Sequence, residues 1–99
     1  MTGTGKRITV TVKSFATLRE VMDAELRMEF TKDATIRSLL AELTGRYGGL
    51  AGLIFAGPGI LRDFVNILKN GRNIQFLAGL DTPLDEGDLI AIFPPVAGG

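Results

Sequence analysis

The run Leu89-Ile90-Ala91-Ile92-Phe93 is apolar at every position, and Pro94-Pro95 follows it directly. A strand with apolar side chains on both faces belongs in the middle of a sheet, with one face on a helix and the other partly covered. Each proline fixes φ at about −65° and lacks a backbone N–H, so neither helix nor central sheet continues through the pair. The chain is therefore built around a central last strand that ends in a stiff arm, Pro94-Pro95-Val96-Ala97-Gly98-Gly99. In a polyproline-like conformation the arm rises about 3 Å per residue, roughly 18 Å in all. Gly98 and Gly99 carry no Cβ, so the walls of a partner can close on their backbone, and the arm presents the α-carboxylate of Gly99.

Upstream, hydrophobic periodicity supplies the elements this strand needs. Residues 1–5 are small and polar and read as a loose end. Ile8, Val10 and Val12 alternate with Thr9, Thr11 and Lys13, which predicts a half-buried strand near 7–14. Leu18, Val21 and Met22 fit one short helical turn, with Thr17 as its N-cap. Leu26, Met28 and Phe30 alternate with Glu25, Arg27 and Glu29, predicting a strand near 25–31 whose charged face suits a sheet edge. Ile36, Leu39, Leu40, Leu43 and Tyr47 fall on one helical stripe. They predict a main helix near 35–47, started by Asp33 or Thr35 and ended by Gly48 in the left-handed C′ position. Glu42 and Arg46 pair across one turn of it.

The segment 48–62 holds five glycines but has neither the Gly-Lys-Ser/Thr ending of a phosphate loop nor G-x-G-x-x-G spacing. It reads as a connector with one helical turn near Leu50 to Phe55. Asn70-Gly71 is the preferred pair for a type I′ hairpin turn between strands near 64–69 and 72–77. A two-residue turn sets Lys69 opposite Arg72, Leu68 opposite Asn73, Ile67 opposite Ile74, Asn66 opposite Gln75 and Val65 opposite Phe76. Val65, Ile67, Ile74 and Phe76 then share one face. A second turn, Leu84-Asp85-Glu86-Gly87-Asp88, leads into a last strand near 88–93. The expected fold class is α+β: a mixed sheet of about five strands with one helix packed across it. Its first and last strands, the most apolar, lie side by side and parallel, as in a β-grasp. Residues 1–99 are read as one such domain, with 94–99 as its extended tail.

Composition narrows the chemistry. The chain has no cysteine, so thiol catalysis and cysteine-bound metal are out, and no histidine, which removes the commonest general base and metal ligand. Eleven basic and eleven acidic residues give a formal charge of zero, which argues against a nucleic-acid surface. The amino terminus shows no apolar signal core, and the weakly polar run from Gly48 to Leu61 is too short to span a bilayer. A soluble cytoplasmic domain is expected, with no membrane or nucleic-acid partner, no metal site and no permanently bound cofactor. Asp81, Asp85, Glu86 and Asp88 could be read as an acidic active site. They lie in a turn-rich stretch, where aspartate is common for structural reasons.

The ending Phe93-Pro94-Pro95-Val96-Ala97-Gly98-Gly99 resembles the C-terminal signature of MoaD/ThiS-type ubiquitin-like sulfur carriers, such as the small subunit of molybdopterin synthase. Phe15-Ala16-Thr17-Leu18-Arg19-Glu20 is similar to the F-A-x-L-R-E of that family, and Leu84-Asp85-Glu86-Gly87-Asp88 to its turn before the last strand. Val65-Asn66-Ile67-Leu68-Lys69-Asn70-Gly71 looks more like archaeal members, some of which also modify proteins. The segment 48–62 departs from the compact bacterial pattern.

The resemblance implies a division of labour. A terminal carboxyl group ionises at a pKa of about 3.5 and is a poor electrophile at neutral pH, so it must be activated. This chain has no nucleotide motif, thiol or imidazole, so it brings no catalytic residue of its own. The resemblance implies that an E1-like adenylating enzyme of the MoeB/ThiF type uses ATP to activate Gly99, and that a sulfur donor then converts it to a thiocarboxylate. In the molybdopterin pathway a MoaE-type large subunit would take up Pro94 to Gly98 and use the Gly99 sulfur to build molybdopterin, the product. The alternatives are a covalent modifier joined through Gly99 to target lysines, or a sulfur carrier for thiamine synthesis or tRNA thiolation. Phe93, Val65, Ile67, Ile74 and Phe76 are the candidate partner-docking residues on the sheet.

Overall fold

The computed structural model describes residues 7–95. Strand β1 (Arg7–Ser14) alternates exposed and buried residues, as its sequence requires, and leads through a 3-10 turn (Ala16–Glu20) to β2 (Glu25–Thr31). The main helix α1 (Ile36–Arg46) follows, then a short helix α2 (Leu50–Ile54) and a small ribbon of β3 (Phe55–Gly57) and β4 (Ile60–Leu61). β5 (Asn66–Lys69) and β6 (Arg72–Asn73) form the hairpin, and β7 (Leu89–Phe93) ends the sheet. The five-stranded sheet has the order β2-β1-β7-β5-β6. β1 and β7 are central and parallel, with Val12 opposite Ile90 and Ser14 opposite Ile92; β7 runs antiparallel to β5. This is the expected β-grasp, with the charged β2 at one edge.

One core lies between sheet and helix. Ile36, Leu39, Leu40 and Leu43 of α1 pack with Val10 and Val12 of β1, Ile90 and Ile92 of β7, and Ile67 of β5, all essentially without solvent exposure. Thr35 caps α1: its hydroxyl accepts from the Ser38 N–H, while the Ser38 hydroxyl accepts from the Thr35 N–H in a reciprocal capping box.

Four local expectations are corrected. The turn after β1 is capped by the backbone of Phe15 and not by a Thr17 side chain, because Ala16 adopts a left-handed φ of 54° that starts the turn one residue early. Gly48 is not in the left-handed region. Tyr47 ends α1 in an extended conformation, and the Leu50 N–H returns to the Tyr47 carbonyl, so the chain runs straight into α2. The segment 48–62 holds a helical turn, as its sequence implies, but also the β3–β4 ribbon, which no periodicity announced.

The fourth concerns the hairpin. Asn70 and Gly71 have φ of 51° and 86°, as a type I′ turn requires, and Leu68–Asn73 and Lys69–Arg72 pair as expected. Beyond Asn73 the ladder stops. The Asn73 carboxamide accepts from the Gln75 N–H at 2.9 Å, which turns Ile74–Phe76 into a 3-10 helix in place of a strand. A local side-chain bond has taken over from the cross-strand one. Ile67–Ile74, Asn66–Gln75 and Val65–Phe76 are consequently not strand partners.

Candidate functional site at the root of the C-terminal arm

Val96, Ala97, Gly98 and Gly99 lie outside the described residues, so the site is read from where the chain delivers them. At the end of β7, Phe93 stacks on Phe15, ring centroids 4.4 Å apart and planes within 10°. The Arg19 guanidinium lies 5.6 Å from the centre of the Phe15 ring, and its Nε donates to the Ser14 carbonyl at 3.1 Å. Leu18, between them in sequence, is fully buried in the core. The stretch Phe15 to Arg19 thus anchors one side of the root of the arm. Pro94 is buried and Pro95 half-buried, so the first two residues of the arm belong to the packed domain.

The other side is supplied by the glycine-rich segment. Leu50 and Ile54 of α2 are buried in the core. Arg62 is tied back to that helix through its N–H to the Ile54 carbonyl and its Nε to the Gly52 carbonyl, both at 2.9 Å. Two shallow cavities flank the prolines. One of about 260 Å³ is lined by Thr17, Gly52, Leu53, Arg62, Pro94 and Pro95. One of about 350 Å³ is lined by Ala56, Ile60, Leu61, Arg62, Asp63 and Pro95. Segment 48–62 therefore forms part of the collar from which the arm leaves.

The strand alternation settles which side of the sheet is open. Ile90 and Ile92 point into the core, which turns Leu89, Ala91 and Phe93 to the other face, beside half-buried Leu68 opposite Ala91. Thr11 and Lys13 border this apolar strip on β1 and Asn66 borders it on β5. Of the five docking candidates, only Phe93 lies on this strip. Val65, Ile67 and Ile74 are buried in the core beneath the helix and are withdrawn as docking residues. Phe76 is 81% exposed, but it sits on the 3-10 helix and not on the sheet. Phe15, Leu68 and Ala91 also belong to the strip and were not among the candidates drawn from the sequence. Only the Phe15 motif signalled any of them from sequence.

The charged groups at the opposite end of β7 are structural. Lys69 Nζ donates to the Pro83 carbonyl at 2.7 Å and to Asp85 Oδ2 at 2.8 Å, and lies 3.4 Å from Asp88 Oδ2. Asp88, itself buried, also accepts from Asn70 Nδ2 and from the Asp85 N–H. Burial lowers the Lys69 pKa, but the Asp85 hydrogen bond and the charges of Asp88 and Asp85 outweigh it, so the value lies above that of an ordinary lysine. Asp81 pairs with Arg37, and Glu86 accepts from the Thr9 N–H. The four acids are thus spent on holding loops. Among the described residues no cluster of His, Cys, Asp or Glu could hold a metal ion, and no helix is long and apolar enough to cross a membrane.

Residues 12–99 match the model of the ThiS family. Small archaeal modifier protein 3 of Haloferax volcanii is 43% identical over 89% of this chain and 96% of its own length. The sulfur carrier protein CysO of Mycobacterium tuberculosis is 36% identical over 66% of this chain and 72% of its own. Among solved structures, small archaeal modifier protein 1 of H. volcanii superposes with a TM-score of 0.79 at 36% identity, covering 92% of this chain and 99% of that one. A candidate molybdopterin converting factor subunit 1 from Pyrococcus furiosus superposes with a TM-score of 0.72 at 30% identity, covering 90% and 99%.

Proposed function

Because the chain belongs to the ThiS family of ubiquitin-like proteins, we propose that its functional group is the Gly99 carboxylate, delivered by the arm to a partner's active site. The observation that carries this reading is the continuity of the family match through Gly99 with an arm whose root is fixed by Phe15, Phe93 and buried Pro94. A fixed root lowers the entropy lost when the arm enters a partner.

In this reading an E1-like enzyme catalyses attack of the carboxylate oxygen on the α-phosphorus of ATP. That forms a Gly99 acyl-adenylate and releases pyrophosphate. Hydrosulfide released by the sulfur donor attacks the acyl carbon, AMP leaves, and Gly99 becomes a thiocarboxylate. The strip of Phe93, Ala91, Leu89 and Leu68, with Phe15, is the face on which the activating enzyme and the sulfur acceptor dock. The likeness to the Pyrococcus protein supports a destination in molybdopterin synthesis, with this chain as small subunit beside a MoaE-type large subunit. The likeness to CysO supports sulfur carriage more broadly.

The relatives that are modifiers favour a second use of the same activated carboxyl: transfer of Gly99 to the ε-amine of a target lysine. Intact-mass measurement on protein isolated from its native cells tests both. A thiocarboxylate, in which sulfur replaces one terminal oxygen, supports carriage. A ladder of conjugates joined through Gly99 supports modification. A terminus found always as the free carboxylate, with no conjugates, would sink the reading.

A further inference from the structure

The turn Arg62-Asp63-Phe64-Val65 is closed by the Val65 N–H to the Arg62 carbonyl at 3.3 Å. Phe64 has φ of 70° and Asp63 does not share the positive φ, the signature of a type II turn, whose third position favours glycine or asparagine. A phenylalanine is held there at a steric cost, and its side chain is 80% exposed, so little packing within the chain offsets that cost. A strained backbone presenting an exposed aromatic ring is a poor choice for folding alone.

Its place supplies the reason. Arg62 and Asp63 share with Pro95 the cavity of about 350 Å³ at the root of the arm. Phe64 precedes Asn66 by two residues as Pro95 follows Phe93 by two, and Asn66 and Phe93 are partners across antiparallel strands, so Phe64 and Pro95 lie at the same end of the sheet. Four residues remain after Pro95, which span at most about 14 Å when extended. A protein that holds Gly99 in its active site therefore comes within about 14 Å of Pro95, whose cavity Arg62 and Asp63 of this turn also line.

We propose that the Arg62–Val65 turn is a second contact for the activating enzyme that receives the arm, with Phe64 filling an apolar pocket at the mouth of the arm channel. This rests on the proposed function, from which it adds a residue outside the sheet strip. The turn fixes the Phe64 backbone, and the ring is already largely in solvent. Docking it therefore gains apolar and aromatic contact at little ordering cost, the behaviour of an interface anchor.

The test uses the full chain, the adenylating enzyme encoded in the same genome, ATP and labelled pyrophosphate, with exchange as readout. Phe64→Gly and Phe64→Asn both accept a positive φ, so each is expected to melt at or above the temperature of the unaltered chain. Each is expected to lower kcat/KM for exchange about tenfold or more, mainly through KM. Phe64→Tyr is expected to restore most of it. A chain lacking Gly99 serves as control. If it still exchanges, the proposed function fails. If it is inert while Phe64→Gly and Phe64→Asn exchange normally, only the present inference fails. Loss of folding in both variants would overturn it, as would a concentration-dependent dimer that they abolish while exchange is unchanged.

Discussion

The rings of Phe15 and Phe93 lie parallel, 4.4 Å apart, although seventy-eight positions separate them in sequence, and they join the turn after the first strand to the last residue before the arm. The direction in which the arm leaves is thereby coupled to the β1–β7 pairing. Replacing either ring by alanine should lower stability. A double-mutant cycle of Phe15→Ala and Phe93→Ala, followed by denaturant unfolding, should return a coupling of about 0.5–1.5 kcal/mol. A coupling indistinguishable from zero would show that the stack does not hold the root.

Lys69 should make alkaline stability pH-dependent. Its folded pKa is raised above the unfolded value of about 10.4, so its contribution is complete below that pH and is lost as pH rises through the folded pKa. Lys69→Met should flatten this part of the stability–pH curve. At neutral pH it should cost about 2–3 kcal/mol, because buried Asp88 loses its cation while keeping only neutral donors. Urea midpoints measured from pH 7 to 12 check both effects; parallel curves for the two proteins would contradict the assignment.

At Gly71 φ is 86°, and among the described residues no heavy atom beyond its chain neighbours lies within 4 Å of where a Cβ would sit, which separates strain from crowding. Gly71→Val should therefore destabilise through the backbone alone, by about 1–2 kcal/mol. Gly71→Asn should cost less, since asparagine tolerates the left-handed region. Equal melting temperatures for the valine variant and the parent would refute the turn assignment.

Removing Gly99, or adding one residue after it, should abolish adenylation and sulfur loading while leaving the melting temperature unchanged. The packed domain is closed by buried Pro94, and under the proposed function the chain beyond it carries the reacting group. Gly98→Val should fold normally and be loaded slowly, because a β-branched side chain fits a narrow channel badly. Calorimetry paired with loading assays separates the two effects; normal loading without Gly99 would remove the central claim.

Sequence alone determined what depends on neighbours along the chain. Alternation at Ile8, Val10 and Val12 set β1, the stripe from Ile36 to Leu43 set α1, and Asn70-Gly71 set the turn and its first two pairs. The apolar run to Phe93 followed by two prolines placed β7 at the centre and marked where the sheet stops. Tertiary structure decided which face of each element is covered. A strand apolar on both sides, such as β7, offers no internal clue to the side the helix will take, and the choice fell on Ile90 and Ile92. That choice, together with the Asn73 side chain ending the ladder early, sent Val65, Ile67 and Ile74 into the core and left Phe76 in solvent. It also brought Phe15 onto Phe93 and segment 48–62 against Pro95. These contacts join residues far apart in sequence, and no periodicity within either segment encodes them, because each exists only once the sheet and helix have closed on one another.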